Sequence, residues 1–480
     1  MSSELSRSVR KHKKIVKMNN KSLLKELPAV QDFLTDSELG KYEIDSIYLK
    51  KIVQRELQHF RDEILAGTIT GNLTREVLRE KIVARVKGRT TGFILPRMRR
   101  VINGTGIILH TNMGRAPLPV QAKEHLSEII ENYCNLEIEL DSGKRGNRIE
   151  LVEEIICLIT GAEAAVVVNN NAAAVLLTLN SLCKRKEVPV SRGELVEIGG
   201  SFRMPEVMKV SQAKMVEVGA TNKTHLADYR EAITGRTAAI LKVHTSNYRI
   251  LGFAETVPIA DLVELAHSHA LPVIYDMGSG VMEDLQNWGF PHEPVAREYV
   301  EAGADVITFS GDKVLGGPQS GIIIGKKKYV QKIRKNHLLR ALRCDKVTYA
   351  LLDATLRLYL TPSKIPENLP VAHMLTITQQ ELRKRGEKIL AEIQDLPIEI
   401  AVIDTYSQMG SGALPLEKIP SVALRLKPNK MSVSRLARLL RLSDPAVVGY
   451  IEDDHFMLNL RTVRQDELQQ TAQVLRRVLG

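Results

Sequence analysis

Cysteine, aromatic residues and long apolar runs are all scarce in this chain, and each scarcity closes off a class of protein. The four cysteines, Cys134, Cys157, Cys183 and Cys344, are widely spaced, form no C-x-x-C pair and have no histidine at ligand spacing. That usage fits a reducing compartment and argues against a disulfide framework or a structural zinc, so no metal is expected. Aromatic residues make up 4% of the sequence, with a single tryptophan, so any nucleic acid would be held through phosphates and shape rather than base stacking. No apolar run reaches the roughly 20 residues that span a bilayer, and the N-terminus lacks an apolar signal core, so a cytoplasmic protein with no membrane partner is expected. Nucleotide signatures are missing as well. Gly104 and Gly106 begin a G-x-G-x-x-G that fails at Leu109, and neither a G-x-x-x-x-G-K-[ST] nor an H-E-x-x-H is present.

What the chain does have is size, positive charge and alternating structure. Its 480 residues exceed what one hydrophobic core usually holds, so two or three domains are expected. A formal charge of +11, from 67 basic and 56 acidic residues, points to an anionic partner: nucleic acid, a membrane surface or a phosphorylated substrate. Residues 1–21 carry seven Lys/Arg against Glu4 and read as a flexible basic tail. Residues 22–90 show helical periodicity, with Ile47, Ile52, Val53 and Leu57, then Val77, Leu78, Ile82, Val83 and Val86, and form a helical domain. The stretch "GRTTGFILPRMRR" reads as a linker from there into a large domain, the two together covering 91–360. The three prolines of "LTPSKIPENLP" then lead to a smaller C-terminal domain, 361–480. Within it, "MSVSRLARLLRL" has no helix-turn partner and reads as a core-packing helix, so no DNA partner is expected.

In the large domain, short β-branched runs ("AAVVVNN", "AAILKVHT", "LPVIYDMG", "DVITFSGD") alternate with helical stretches such as Ile259 to Ser268. That alternation predicts an α/β fold with a mostly parallel sheet covered on both faces and a site beyond the carboxyl ends of its strands. Two of those ends carry Asp276, after "PVIY", and Lys313, after "VITFSGD". A lysine able to hold an aldehyde as a Schiff base, with a carboxylate able to keep a pyridine nitrogen protonated, is what a pyridoxal phosphate enzyme needs. Taken alone, the same residues also fit a loop cap and a solvated turn lysine. Asn169, Asn170 and Asn171, followed by Ala172, add a strand-to-helix junction whose free N–H groups can seat a phosphate, and tip the reading towards the cofactor.

The segments "VINGTGIILHTNMGRAPL", "SRGELVEIGGSFRMPEVM", "VEVGATNKTHLADY", "KVHTSNYRILGF", "FSGDKVLGGPQSG" and "LLRALRCDKVTYALLDATLRLYL" occur in that order. As an ordered set the chain resembles the bacterial selenocysteine synthases, the L-seryl-tRNA(Sec) selenium transferases. The likeness runs from "LPAVQDFL" to "LNLRTV" and leaves out the basic tail. It implies a fold-type I pyridoxal phosphate transferase: a seven-stranded large-domain sheet, a small α/β C-terminal domain and a helical N-terminal domain that binds tRNA. It also implies a homo-oligomer, a decamer built from dimers. The implied reaction takes serine esterified to a selenocysteine-specific tRNA, removes its hydroxyl to leave an aminoacrylyl-tRNA, and adds selenium from selenophosphate.

By the same resemblance Lys313 is the Schiff-base residue and proton shuttle, Asp276 the partner of the ring nitrogen, and Asp312 a helper in hydroxyl departure. Arg115, Arg340 and Arg343 would hold the selenium donor's phosphate-like group, which suits guanidinium forks because the substrate carboxylate is already an ester. Arg340 and Arg343 are three apart on a predicted helix and are expected on one face, and Arg115 is a candidate to serve a neighbouring subunit. Asn170, Asn171, Ala172, Ser310 and His244 are further expected cofactor contacts, with Ser201 and Ser246 also candidates. Two other readings stay open: a related pyridoxal phosphate lyase acting on a small phosphorylated amino acid or sugar acid, and a non-catalytic RNA-binding protein.

Overall fold

The structure is a computed structural model that describes residues 23–69, 73–198, 202–410 and 412–480; the basic tail and Ser201 lie outside the described residues. The chain divides into two compact units, one ending at Arg100 and one running from Val101 to Gly480. No helix among the described residues is long and apolar enough to cross a membrane.

The first unit is helical, as its periodicity predicts. Helix α1 (Ser46–Leu65) starts where the Asp45 carboxylate accepts the Ile47 N–H, and α2 (Arg75–Ile94) where the Thr74 hydroxyl accepts that of Val77. Leu49, Ile52, Val53, Leu57 and Phe60 pack against Ile82, Val86 and Phe33, and each such side chain is worth about 1.5–3 kcal/mol when fully buried. Ile47 and Val77, counted in the apolar pattern, face outward instead. The stretch expected to be a linker from Gly88 is helical as far as Ile94. Its glycines only weaken a helix, and the chain leaves α2 at Leu95 because Pro96 disfavours helical geometry in the residue before it.

The second unit opens with two three-residue strands, β1 (Val101–Asn103) and β2 (Ile107–Leu109). It continues through β3 (Ala164–Val168), α3 (Asn171–Cys183), β4 (Glu187–Ser191), β5 (Lys214–Val218), β6 (Ile240–Val243) and α4 (Ile259–Ser268). After β7 (Val273–Gly278) come β8 (Val306–Ser310), β9 (Gly321–Gly325), α5 (Leu338–Leu342) and α6 (Lys346–Leu358). The central sheet has the order β3-β9-β8-β7-β6, and a separate parallel pair, β4-β5, is joined at the start of β4 by a single bridge from Glu187 to Thr237. Strands β6, β7 and β8 run parallel, but β9 is antiparallel to both its neighbours. Only residues 311–320 link β8 to β9, too few for the crossover of about a dozen or more that a parallel pair needs. That short return holds Lys313.

The C-terminal part contains β10 (Ile398–Gly410), β11 (Ile419–Pro428), α7 (Val433–Leu442), β12 (Ala446–Val448), β13 (Tyr450–Glu452) and β14 (His455–Asn459). Its sheet order is β13-β14-β11-β10-β2, and β1 pairs with β12. Residues 101–109 therefore build the C-terminal sheets rather than the large-domain sheet to which a boundary at 91 assigned them. Three-residue strands carry too little alternation to reveal their partners. Helix α7 buries Val433, Leu436, Ala437 and Leu440 in that domain's core, as read from its pattern.

Candidate active site

The carboxyl ends of β3, β6, β7 and β8 converge on a cavity of about 280 Å³ lined by Arg115, Asn170, Asn171, Ala172, His244, Ser246, Asp276, Ser310, Asp312 and Lys313. Nine of the eleven residues singled out from sequence as catalytic or cofactor-binding thus meet in one place, and Ser246 joins them.

Asp276 is brought there by a register shift. Thr308 pairs with Asp276 but Phe309 pairs with Gly278, so β7 carries one extra residue immediately after the aspartate. Its Oδ1 accepts from Asn171 Nδ2 at 2.8 Å and from the Thr308 hydroxyl at 3.2 Å. Burial raises its carboxyl above the ordinary 3.8, against the opposing pull of Asn171, Lys313 and Thr308. Lys313 is 4% exposed. Burial, then the nearby Arg115 charge, lowers its ammonium from the ordinary 10.5 to about 8, while Asp276 and Asp312 hold it up. Arg115 sits on a left-handed backbone (φ 61°) and its Nη1 donates to both oxygens of Asp312 at 3.0 Å. It therefore stands beside its own chain's lysine. Gly412 lies against the lysine stem: a Cβ there would come within 2.5 Å of Lys313 Cδ.

The first turn of helix α3 is the candidate anion seat. The Asn170 side chain caps it by accepting the Ala173 N–H at 2.8 Å, while the N–H groups of Asn171 and Ala172, in its first turn, have no carbonyl of the helix to bind. Gly321 permits the close approach behind it, since a Cβ there would strike the Asn170 carbonyl at 2.1 Å. Two buried polar atoms of cavity-lining residues, Asn171 Oδ1 and Ser246 Oγ, have no hydrogen-bond partner among the described residues. A buried carboxylate, a buried amine, an open helix N-terminus and orphaned polar atoms in one cavity fit pyridoxal phosphate by donor chemistry.

Arg340 and Arg343 are not brought to that cavity. They line a second one of about 380 Å³ with Glu137, Arg148, Arg334 and His337. The expected shared helical face is also absent: α5 ends at Leu342, and Arg343 is extended (φ −68°, ψ 149°), bridging to Val168. Asp345, whose carboxylate accepts the Thr348 N–H, starts a new helix there and breaks the stretch that read as continuous from 338 to 360. Glu137 holds the cluster together, pairing with Arg145, Arg148 and Arg343.

Sequence reasoning missed Glu293, which is 1% exposed and accepts from His244 Nε2 at 3.2 Å, Arg249 Nη2 at 3.4 Å and the Leu414 N–H at 3.0 Å. It lies in the irregular stretch "FPHEPV", where no periodicity marks it. The only signal was an acid among prolines.

A family model described as L-seryl-tRNA selenium transferase matches residues 101–464. The chain belongs to that family. It is 45% identical over 459 residues to the L-seryl-tRNA(Sec) selenium transferase of Carboxydothermus hydrogenoformans, covering 95% of this chain and 98% of that one. To the enzyme of the same name from Nitratidesulfovibrio vulgaris it is 44% identical over 469 residues, covering 95% and 99%. Among solved structures, D-glucosaminate-6-phosphate ammonia-lyase superposes with a TM-score of 0.56 at 21% identity, covering 79% of this chain and 96% of that one, a likeness of fold alone. The fold of this selenium transferase family member is the type I fold of pyridoxal phosphate enzymes.

Proposed function

We propose that this protein converts L-seryl-tRNA(Sec) to L-selenocysteinyl-tRNA(Sec), replacing the serine Cβ–O bond by Cβ–Se with selenium from selenophosphate. The observation that carries the reading is family membership over nearly the whole length of the chain joined to a buried Lys313 facing Asp276. Pyridoxal phosphate, when bound, supplies an electron sink for the carbanion left at the serine Cα.

Lys313 would hold the cofactor's aldehyde carbon, and its depressed pKa leaves a useful share of free amine near neutrality to take and return the α-proton. Asp276, oriented by Asn171 and Thr308, would face the ring nitrogen, and a positive charge there would offset the upward push that burial exerts on its carboxyl. Asn170, Asn171, Ala172 and Ser310 would hold the phosphate. His244 would wall the ring. Asp312, bound by both oxygens to Arg115, would assist departure of the hydroxyl, and Arg115 would face the incoming selenium donor.

The helical unit is the candidate tRNA-binding domain, and the anionic substrate suits a chain of +11. The proposed charged-tRNA substrate supports a cytoplasmic location. Arg340 and Arg343, in a cavity apart from Lys313, are read as completing a neighbouring subunit's site in a dimer-based oligomer, a decamer by the family resemblance. The lyase reading loses ground because the full-length relatives carry the selenium transferase name, whereas the ammonia-lyase shares the fold at 21% identity.

Incubation with seryl-tRNA(Sec) and selenophosphate, beside a Lys313→Ala control, is expected to yield selenocysteinyl-tRNA only with the unaltered protein. Consumption of a free amino acid instead would overturn the assignment.

A further inference from the structure

We propose that Glu293 is a positioning residue of the cofactor site: from behind, it fixes His244 as the wall of the Lys313 cavity, and through the Leu414 N–H it holds the 412–414 turn against the lysine stem. The inference rests on reading that cavity as the cofactor site.

Three features carry it. His244 lines both the Lys313 cavity and an adjoining one of about 330 Å³, whereas Glu293 lines only the second, so the carboxylate grips the ring from the side away from the lysine. Its donors come from three separate places: His244 after β6, Arg249 in the following loop, and Leu414, 121 positions beyond Glu293 itself. The third feature is the turn that it anchors. Leu414 sits at φ 47°, and two residues before it Gly412, at φ 114°, lies so close to Lys313 that a Cβ would overlap the side chain.

Packing alone would not select a carboxylate here. A buried charge costs several kcal/mol to desolvate, and an apolar side chain of similar volume often serves stability equally well. The carboxylate adds direction. It can only accept, so His244 Nε2 must carry a hydrogen and the ring orientation is set. Burial pushes the Glu293 acid up, yet the hydrogen bond from His244, its charge and the Leu414 N–H outweigh that and keep it ionised.

The discriminating variant is Glu293→Gln, which keeps the volume but presents an amide N–H where the carboxylate accepted. Its folding is checked by circular dichroism. Pyridoxal phosphate dissociation is then measured by equilibrium dialysis, the visible spectrum of the loaded protein is recorded, and amide hydrogen exchange of residues 412–418 is followed by mass spectrometry with and without cofactor. At least a tenfold weaker retention of cofactor, a displaced absorption band and faster exchange at Leu414 in both states are expected. A folded variant with cofactor affinity within twofold of the unaltered protein and unchanged exchange at Leu414 overturns the proposal. Should Glu293→Gln not fold, Arg249→Gln, at a partly exposed donor, is expected to move all three readouts in the same direction by less, and no movement overturns it. If the unaltered protein itself takes up no cofactor, the cofactor reading fails along with it.

Discussion

Lys313 is unusual among the lysines of this protein because its surroundings work against its charge. An ordinary ammonium loses its proton at 10.5; burial and Arg115 bring this one to about 8, despite Asp276 and Asp312. The difference corresponds to about 3 kcal/mol disfavouring the charged form. Free amine therefore accumulates as pH rises through about 8, and only the amine can attack an aldehyde. Capture of pyridoxal phosphate by cofactor-free protein, followed by stopped-flow absorbance, is expected to accelerate with pH with a midpoint near 8. Arg115→Ala removes the second-largest influence lowering that pKa and should move the midpoint to higher pH; a downward or absent shift would mean that Arg115 does not act on the lysine. Much of this site was legible from residues alone, because Asp276, Lys313 and the asparagines each stand where an apolar run ends. Glu293 was not, because its meaning depends on Leu414, a backbone partner no local pattern links to it.

Among the elements, the long apolar runs were readable and the short or broken ones were not. Strands β3, β7 and β8 are buried along their whole length and β6 is interrupted only by the half-buried Lys242, while α4 and α7 fall on the residues their periodicity marks. The failures share a cause. Strands β1 and β2 are too short to show a period, the helical tract from 338 is interrupted by an aspartate cap, and Gly88 and Gly92 weaken α2 without ending it. Helix α1 offers the clearest test of the N-terminal assignment. Its apolar stripe is buried, while Lys51 and Arg55, one turn apart, face outward and have no acidic partner among the described residues, unlike Arg75, Arg79 and Arg85 of α2, which are ion-paired. If this face meets tRNA phosphates, Lys51→Glu with Arg55→Glu should weaken binding of seryl-tRNA(Sec) and reduce the slope of log affinity against log salt by about two. The cofactor spectrum should not change. An unaltered salt slope would move the RNA contact away from α1.

At the scale of the whole molecule, the arginines expected to hold one anion are divided between two cavities. Arg115 is with Lys313, whereas Arg340 and Arg343 lie beyond the end of β3, where the Leu342 carbonyl accepts the Asn169 N–H and Arg343 bridges to Val168. The two cavities share no lining residue, and Asn170 and Asn171, the candidate phosphate seat, line only the one that holds Lys313. If all three serve one reaction, Arg340 and Arg343 are expected to act on a Lys313 in another subunit, beside that subunit's Arg115. Mixing chains decides this. One variant carries Lys313→Ala; the other carries Arg340→Ala and Arg343→Ala, and each alone is expected to be inactive. In an isologous dimer with sites shared across the interface, a mixed pair has one site with an intact lysine facing intact arginines and one with neither. Random reassortment gives half mixed pairs, so about a quarter of the full selenocysteinyl-tRNA yield should return. If the arginines serve their own chain, no chain in the mixture holds both sets and nothing returns. The cofactor spectrum of the arginine variant should meanwhile be normal, because its own Lys313 cavity is untouched.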